Sequence, residues 1–358
     1  RLADHFNNPV PDGTAVTFIT EGGVIEPSCT TTNGACSVTW TSSNPRPFTD
    51  SMYENTIAQK CDGGLPCPLG ILNNDLTIDL PLGGRATVHA YAIGEETFSD
   101  LNGNGYFDSE DFFDDLFDIP EAFIDNNEDG TFGGKDCSDG TDPCSRDNST
   151  GDEFEEFVDF DGNGTWTTQN GLYNGLLCRE EDETAGLCSR QLVNVFQNQE
   201  IVMSGDEAFF RLVTYADDCS AITGVTATEV RVNSDPTSPL VLSSTGQRMC
   251  GVNSIDLTEA TGTNSVGLTV FIADVYNNPL PVGSEVTIAS ENGILTGTNS
   301  YIFPNTTSFV PVGISFGITR EPADGRNDIT DGFLTISVEA TSGLITSTSI
   351  VVTDDAKL

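Results

Sequence analysis

The sequence has very few positive charges. Its 358 residues include 14 Lys and Arg against 55 Asp and Glu, which gives a formal net charge of −41. A surface this acidic repels nucleic acid and anionic lipid headgroups, because both are recognised mainly through Lys and Arg. We therefore expect no nucleic-acid partner.

Long apolar runs are also missing. No stretch approaches the roughly 20 apolar residues that a membrane-spanning helix needs, so we expect no membrane insertion. The sequence does not begin with a recognisable signal peptide, and we expect it to be a mature or excised portion of a protein.

Signatures of catalysis are absent as well. No G-x-S-x-G, H-E-x-x-H or phosphate-binding glycine motif occurs in a suitable context. With 55 acidic residues, no pair of carboxylates can be singled out as a hydrolytic centre. We predict that the protein is not an enzyme, and a secreted hydrolase is the least favoured alternative.

Apolar residues show no extended period of 3.6, so little helix is expected. They alternate instead with polar residues in β-branched runs such as T-A-V-T-F-I-T at 14–20 and F-L-T-I-S-V-E-A-T at 333–341, separated by turns rich in Gly and Pro. Period-2 runs of this kind are typical of antiparallel sheets with one buried face. The sequence thus predicts an all-β protein built from β-sandwich domains.

The ten cysteines lack the spacing of a zinc site. No C-x-x-C occurs, and neither His5 nor His89 lies near a cysteine cluster. Close pairs in an acidic chain favour disulfides in an oxidising compartment over metal binding or free thiols. The predicted pairs are Cys29–Cys36, Cys61–Cys67, Cys137–Cys144, Cys178–Cys188 and, at longer range, Cys219–Cys250.

One motif occurs three times between residues 96 and 166. The segments E-T-F-S-D-L-N-G-N-G-Y-F, E-A-F-I-D-N-N-E-D-G-T-F and E-E-F-V-D-F-D-G-N-G-T-W share the pattern E-x-F-x-D-x-[DN]-x-[DN]-G-[YT]-[FW]. We call the twelve residues from each shared Asp loop 1 (100–111), loop 2 (125–136) and loop 3 (159–170). A solvated acidic surface does not require aromatic residues in this register, so the pattern indicates a repeated structural device.

Each loop places oxygen atoms where they can surround a calcium ion. Calcium takes about six to eight oxygen ligands, and loops bind it through positions 1, 3, 5, 7, 9 and 12 with glycine at 6. Magnesium is less favoured because it retains its waters. The expected ligands are Asp100, Asn102, Asn104, the Tyr106 carbonyl, Asp108 and Asp111 in loop 1; Asp125, Asn127, Asp129, the Thr131 carbonyl and Asp136 in loop 2; and Asp159, Asp161, Asn163 and the Thr165 carbonyl in loop 3. The sequence predicts about three calcium ions, one for each loop.

The three loops resemble EF-hand loops, and their tandem arrangement is similar to thrombospondin type 3 repeats. They depart from the EF-hand pattern at position 12, where Asp111, Asp136 and Asn170 replace the glutamate that holds the ion with both oxygens. The candidates to complete a neighbouring site are the glutamates four residues before each loop: Glu96, Glu121 and Glu155.

Charge favours ion binding over a disordered acidic linker. From Glu95 to Asp161, 23 acidic and two basic side chains give a net charge of −21, and such a segment expands by self-repulsion without counter-ions. The same segment carries too much aromatic surface for a solvated spacer. Calcium would neutralise part of the charge and allow the rings to pack inward.

A second repeat spans the chain at long range. The segment D-H-F-N-N-P-V-P-D-G-T-A-V-T-F-I-T-E-G-G-V-I (4–25) aligns without gaps on D-V-Y-N-N-P-L-P-V-G-S-E-V-T-I-A-S-E-N-G-I-L (274–295). Each copy predicts a turn, a strand and a glycine-centred turn, and strands near Val88 and Ile336 could close the two sheets. Repeated modules indicate an array of domains.

These segments resemble the opening strands of bacterial Ig-like domains of the invasin and intimin type. The resemblance implies β-sandwiches at 1–94 and 257–358, and a surface role, since members of this family build stiff extracellular rods. Between them we expect the calcium segment at 95–175, irregular in structure, and a smaller β domain at 176–256. Only R-L-A-D precedes the first copy's turn, so the first strand is expected to be truncated or supplied in trans.

Together these features predict a secreted protein of the bacterial cell surface. We expect a calcium-rigidified Ig-like rod that forms part of an adhesin, stalk or filament. Its expected partners are neighbouring Ig-like domains, further copies of itself, and a host or surface glycan or protein. A filament subunit with strand complementation between copies and a glycan- or receptor-binding module are the alternatives left open.

Overall fold

The described part of the chain is almost entirely β-structure. The computed structural model describes residues 1–43, 84–126, 128, 130–133, 155–230, 245–308, 311–322 and 328–355. Within these residues the helical elements are one short α-helix, α1 (Glu180–Thr184), and one 3-10 turn (Cys219–Ala221). Neither is long or apolar enough to cross a membrane. The predicted all-β class with little helix is confirmed.

The strands are rich in Val, Ile, Thr and Phe, whose side chains pack well on a pleated surface. In chain order the described strands are β1 (Ala15–Thr20), β2 (Val24–Ile25), β3 (Ser28–Thr30), β4 (Trp40–Thr41), β5 (Arg85–Gly94), β6 (Tyr173–Asn174), β7 (Cys188–Ser189), β8 (Val193–Val202), β9 (Phe209–Ala216), β10 (Val225–Glu229), β11 (Arg248–Asp256), β12 (Ser265–Ala273), β13 (Glu285–Ser290), β14 (Ile294–Gly297), β15 (Ser300–Ile302), β16 (Val312–Thr319), β17 (Thr330–Glu339) and β18 (Ile345–Asp354).

The chain folds as two compact units. The first contains residues 1–43 and the described residues from Arg85 to Ile201, and the second contains Gly84 and the described residues from Val202 onward. In the second unit, β9, β10 and β11 share one sheet with strands that follow residue 257. The division into four domains and the Ig-like character of the first and last stay predictions.

The first unit is built on a four-stranded sheet in the order β3-β1-β5-β8. Successive side chains of a strand face opposite sides of its sheet, so Arg85, Thr87 and His89 of β5 share one side. All three are buried although all three are polar. Two residues on this polar side of β5, Arg85 and Thr87, bond loop 2.

The second unit is built on a ten-stranded sheet in the order β14-β16-β12-β9-β11-β18-β17-β13-β15, with β10 paired to β11. Strand β11 changes partner along its length: it pairs with β9 in antiparallel fashion over 248–251 and with β18 in parallel over 254–256. The core of the second unit includes the buried side chains of Leu212, Ile255, Val270, Ile272, Phe303, Ile318, Leu334 and Ile336.

The long-range repeat folds twice in the same way. Strands β1 and β13 occupy equivalent positions, and each is closed by the later strand expected from the sequence, with Thr20 opposite Val88 and Ile288 opposite Ile336. The N-N-P turn before each strand has its first Asn in the left-handed region, at φ values of 62° and 64°. The same local sequence therefore produces the same local backbone in both units.

The two copies differ in the environment of their first aspartate. Asp4 and Asp274 each accept two backbone N–H bonds within the turn. Asp4 is exposed, whereas Asp274 is buried and also accepts the N–H of Gly205 at 2.8 Å. Burial raises the pKa of Asp274 to about 6, whereas the N–H bond from Asn8 lowers the pKa of Asp4.

The raised pKa of Asp274 predicts that the second unit loses stability as the pH rises. Its folded form binds the proton more tightly than the unfolded chain, whose reference pKa is 3.8. The stabilisation is thus fully present below pH 3.8 and is lost as the pH rises through about 6. Relative to Asp274→Asn, we expect the unfolding free energy of the wild type to fall by about 3 kcal/mol across this window. Hydrogen exchange of the peptides from β12 to β18 measures this change in unfolding free energy.

The matched control is Asp4→Asn in the first unit. Because the pKa of Asp4 is lowered, its contribution has the opposite sign and is lost as the pH falls. A wild-type stability that tracked Asp274→Asn at every pH would contradict the expected titration.

Candidate metal centre

The backbone of loop 1 turns around the carboxylate of Asp100. Its Oδ1 accepts the N–H of Gly103 at 2.7 Å, and its Oδ2 accepts that of Gly105 at 2.9 Å. Both glycines are in the left-handed region, with φ values of 71° and 80°, which glycine adopts without steric cost. The first predicted ligand therefore lies inside the turn.

The remaining alternate side chains of loop 1 also bond within the loop. Asn102 accepts the N–H of Asn104 at 2.9 Å, and Asn104 accepts that of Tyr106 at 2.7 Å. The amide groups of Asn102 and Asn104 donate to the carboxylate of Asp108 at 3.2 and 2.7 Å. Loop 1 thus gathers the predicted side chains on its inner side, with Tyr106 in the turn between them.

Asp111 closes loop 1 from position 12. Its Oδ1 accepts the N–H of Leu101 at 2.9 Å, and its Oδ2 accepts that of Asp108 at 3.0 Å. These N–H groups belong to positions 2 and 9 of the loop. One carboxylate therefore ties the beginning of the loop to its end.

Loop 3 repeats the turn of loop 1. Asp159 accepts the N–H groups of the glycines at positions 4 and 6, at 2.7 and 3.0 Å. Asn163 accepts the N–H of Thr165 at 2.6 Å and donates from its amide group to Asp161 at 2.6 Å. The four residues predicted for loop 3 are therefore brought together.

The described part of loop 2 follows the same turn. Asp125 accepts the N–H of Gly130, at position 6, at 2.9 Å. Thr131, predicted to contribute its carbonyl, follows this glycine and is exposed. Three predicted ligands of this loop lie outside the described residues: Asn127, Asp129 and Asp136.

A glutamate from outside loop 2 ties the two ends of this loop together. Glu155, which precedes loop 3, accepts the N–H of Asn126 at 2.9 Å and that of Gly133 at 2.7 Å. Asn126 and Gly133 are positions 2 and 9 of loop 2. Glu155 thus does for loop 2 what Asp111 does for loop 1.

Glu121 makes the reverse contact. It precedes loop 2, yet its carboxylate accepts the N–H of Phe160 and that of Thr167, both at 2.9 Å, which are positions 2 and 9 of loop 3. Asn170, at position 12 of loop 3, instead donates its backbone N–H to Asp118 at 3.2 Å. Both glutamates therefore reach the neighbouring loop, whereas the residue at position 12 of loop 3 turns away.

The third glutamate, Glu96, bonds outside the loops. Its carboxylate is buried and accepts the N–H of Ile119 at 2.8 Å and that of Asn174 at 2.7 Å. Burial raises the pKa of Glu96, and nearby Asp118 raises it further, whereas the two N–H bonds lower it. Asp118 and Asn174 were not predicted from the sequence, because neither belongs to the repeated motif.

The residues present fit a hard cation. Carboxylate oxygens of Glu121, Asp159 and Asp161 lie within 4.8 Å of one another. The gathered donors are oxygens, which suit calcium better than a soft transition metal. In loop 2, the buried Oδ1 of Asn126 has no hydrogen-bond partner within the described part of the chain, although buried oxygens normally have one.

Aromatic side chains pack behind the loops. Phe98 and Phe107, which flank the ligands of loop 1, contact each other and Tyr173 with ring centroids 5.0–5.2 Å apart. Behind loops 2 and 3, Phe132 stacks on Trp166 at 4.6 Å, and both contact Phe123. The shared aromatic positions of the motif therefore form the interior of the segment.

Strand β5 anchors loop 2. The guanidinium of Arg85 donates to both carboxylate oxygens of Glu128, at 2.6 and 2.7 Å, and both side chains are buried. The hydroxyl of Thr87 donates to the carbonyl of Asp125 at 2.8 Å. His89 bonds Asn198 of β8 at 2.7 Å, and burial lowers the pKa of its ring.

The ion pair occupies a position where the loops differ. Glu128 is position 4 of loop 2 and has a φ of 62°, whereas loops 1 and 3 have glycine there. A non-glycine residue in this region is uncommon, and the ion pair with Arg85 compensates for its strain. Alignment of the three motifs reveals the departure, but it does not identify Arg85 as the partner.

Three predicted disulfides are present. Cys29–Cys36 closes a short loop in the first unit, Cys219–Cys250 joins the 3-10 turn to β11 in the second, and Cys178–Cys188 lies beside Phe107 and Tyr173. The predicted pairs Cys61–Cys67 and Cys137–Cys144 lie outside the described residues.

No family model matches the chain, and no curated protein matches it either.

Replacing Arg85 with Met should destabilise the first unit by about 3–5 kcal/mol, because Glu128 would remain buried without its charge partner. Arg85→Met combined with Glu128→Gly should recover most of this loss, since glycine also suits the backbone at position 4. Urea unfolding followed by Trp166 fluorescence measures both variants.

The exposed Arg190 provides the control, and Arg190→Met should leave stability nearly unchanged. A double variant no more stable than Arg85→Met would show that the ion pair does not account for the loss.

Proposed function

We propose that the protein is a non-enzymatic extracellular structural or adhesive protein whose acidic segment is rigidified by calcium. In this proposal the chain forms part of a bacterial surface adhesin, stalk or filament. One observation carries it: in each of the three loops, one carboxylate ties positions 2 and 9 together, and in loops 1 and 3 it does so beside the oxygens of the alternate positions.

Charge explains why an ion is needed. The segment from Glu95 to Asp161 has a net charge of −21, and backbone N–H bonds stabilise its carboxylates without neutralising them. A divalent cation in each loop would supply the missing positive charge and bridge oxygens that otherwise repel one another. The protein's own residues then act as a cage, since Asp100, Asp125 and Asp159 already lie inside their turns.

The buried polar groups support a structural role. Glu96 bonds backbone N–H groups, Glu128 bonds Arg85, and His89 bonds Asn198. Groups bonded in this way hold chain segments together. Disulfides and repeated β modules fit an extracellular array.

The full chain should bind about three calcium ions, and removing them should open the acidic segment. At free calcium about 100-fold above the Kd, one ion stabilises the bound form by about 2.7 kcal/mol. EGTA should therefore accelerate chymotryptic cleavage within residues 95–175 by about 100-fold, since cleavage tracks the opened population. Calorimetry gives the stoichiometry, and mass spectrometry locates the cuts.

The control is the triple variant Asp100→Ala, Asp125→Ala and Asp159→Ala, which should be cleaved rapidly with or without calcium. Magnesium at the same concentration should protect the wild type poorly, because it gives up its waters reluctantly. A wild-type chain that takes up no calcium, or that is cleaved equally fast in EGTA, would refute the proposal.

A further inference from the structure

We infer that loops 2 and 3 form one interdependent pair, each completed by the glutamate that precedes the other, whereas loop 1 is self-contained. The inference rests on the calcium binding proposed above. In this inference Glu155 closes loop 2 and Glu121 closes loop 3, in the way that Asp111 at position 12 closes loop 1.

The first support is the symmetry of the exchange. Glu155 spans positions 2 and 9 of loop 2, and Glu121 spans positions 2 and 9 of loop 3. Glu155 is fully buried, and its carboxylate accepts both of these N–H groups. The unsatisfied Oδ1 of Asn126 belongs to the residue whose N–H Glu155 accepts.

The second support is the backbone between the two motifs. Phe123 and Phe157 form an antiparallel bridge. The N–H of Ile124 donates to the carbonyl of Glu156 at 2.9 Å, and the N–H of Val158 donates to that of Ala122 at 2.7 Å. The segments that carry the two glutamates are therefore paired directly, and neither can shift without the other.

The third support is the aromatic packing. Phe132 of loop 2 contacts both Phe157 and Trp166 of the third motif, and Phe123 also contacts Trp166. The rings of loop 1 pack instead with Tyr173. Loops 2 and 3 share one interior, whereas loop 1 has its own interior and its own closing carboxylate, Asp111.

Binding at one member of the pair should therefore favour binding at the other. An ion that orders loop 2 fixes Glu121 through the paired backbone, and Glu121 completes loop 3; the reverse holds for Glu155. Coupling between two sites is reciprocal, so each ion raises the affinity for the other by the same factor. Loop 1 should bind its ion independently.

Calcium titration of the full chain by calorimetry tests this inference. Glu155→Gln puts an amide N–H₂ opposite a backbone N–H donor, and we expect it to abolish binding at both loops, reducing about three ions to about one. Glu121→Gln should have the same effect. Asp111→Asn should remove one ion only, and Glu156→Gln, at the exposed neighbour of Glu155, should leave all three.

The failures of the two proposals are distinguishable. If Glu121→Gln and Glu155→Gln each lost one ion and left the remaining loops at wild-type affinity, the interdependence would be overturned and the calcium proposal would stand. A wild type that bound none would overturn both. Should Glu155→Gln not fold, Glu155→Asp keeps the charge and shortens the reach: an equal fold-loss of affinity at loops 2 and 3 supports the pair, and a loss confined to loop 2 contradicts it.

Discussion

Repulsion among carboxylates concentrated in one segment is the constraint on which the first unit depends. The segment relieves part of this repulsion by turning acidic side chains inward onto backbone N–H groups, as Asp100, Glu121 and Glu155 do. Each such bond stabilises the charge of the carboxylate and also determines the path of the loop. The arrangement leaves several oxygens facing one another, and this residual repulsion is what a bound divalent cation would remove.

The sheet of the first unit provides further interactions that stabilise the acidic groups. Strand β5 presents polar residues on the side where an ordinary sandwich would present apolar ones, and two of them, Arg85 and Thr87, bond loop 2 directly. Arg85 is one of only 14 basic residues in the chain, and it is buried against Glu128. The described part of loop 2 thus packs on the sheet.

The long-range repeat shows that similar local sequences can have different electrostatic properties. Asp4 and Asp274 make the same turn with the same N–H bonds, yet their pKa values move in opposite directions because one is exposed and the other is buried near Gly205. The turn geometry is local, since it depends on residues within four positions of the aspartate. The electrostatics depend on which distant segment covers it.

Local pattern determined the β class, the three oxygen-rich loops and the pairing of Cys29 with Cys36 and of Cys178 with Cys188, because each depends on residues close together in the chain. The sequence also identified Glu121 and Glu155 as groups that could complete another site. It did not determine where they reach: Glu121 bonds an N–H group 39 residues away, and Glu155 bonds one 29 residues away. The ion pair between Arg85 and Glu128 was likewise invisible, since it joins residues 43 positions apart. Only the tertiary structure decides these contacts, because a carboxylate can accept from any donor that packing brings within reach, and spacing along the chain does not specify that packing.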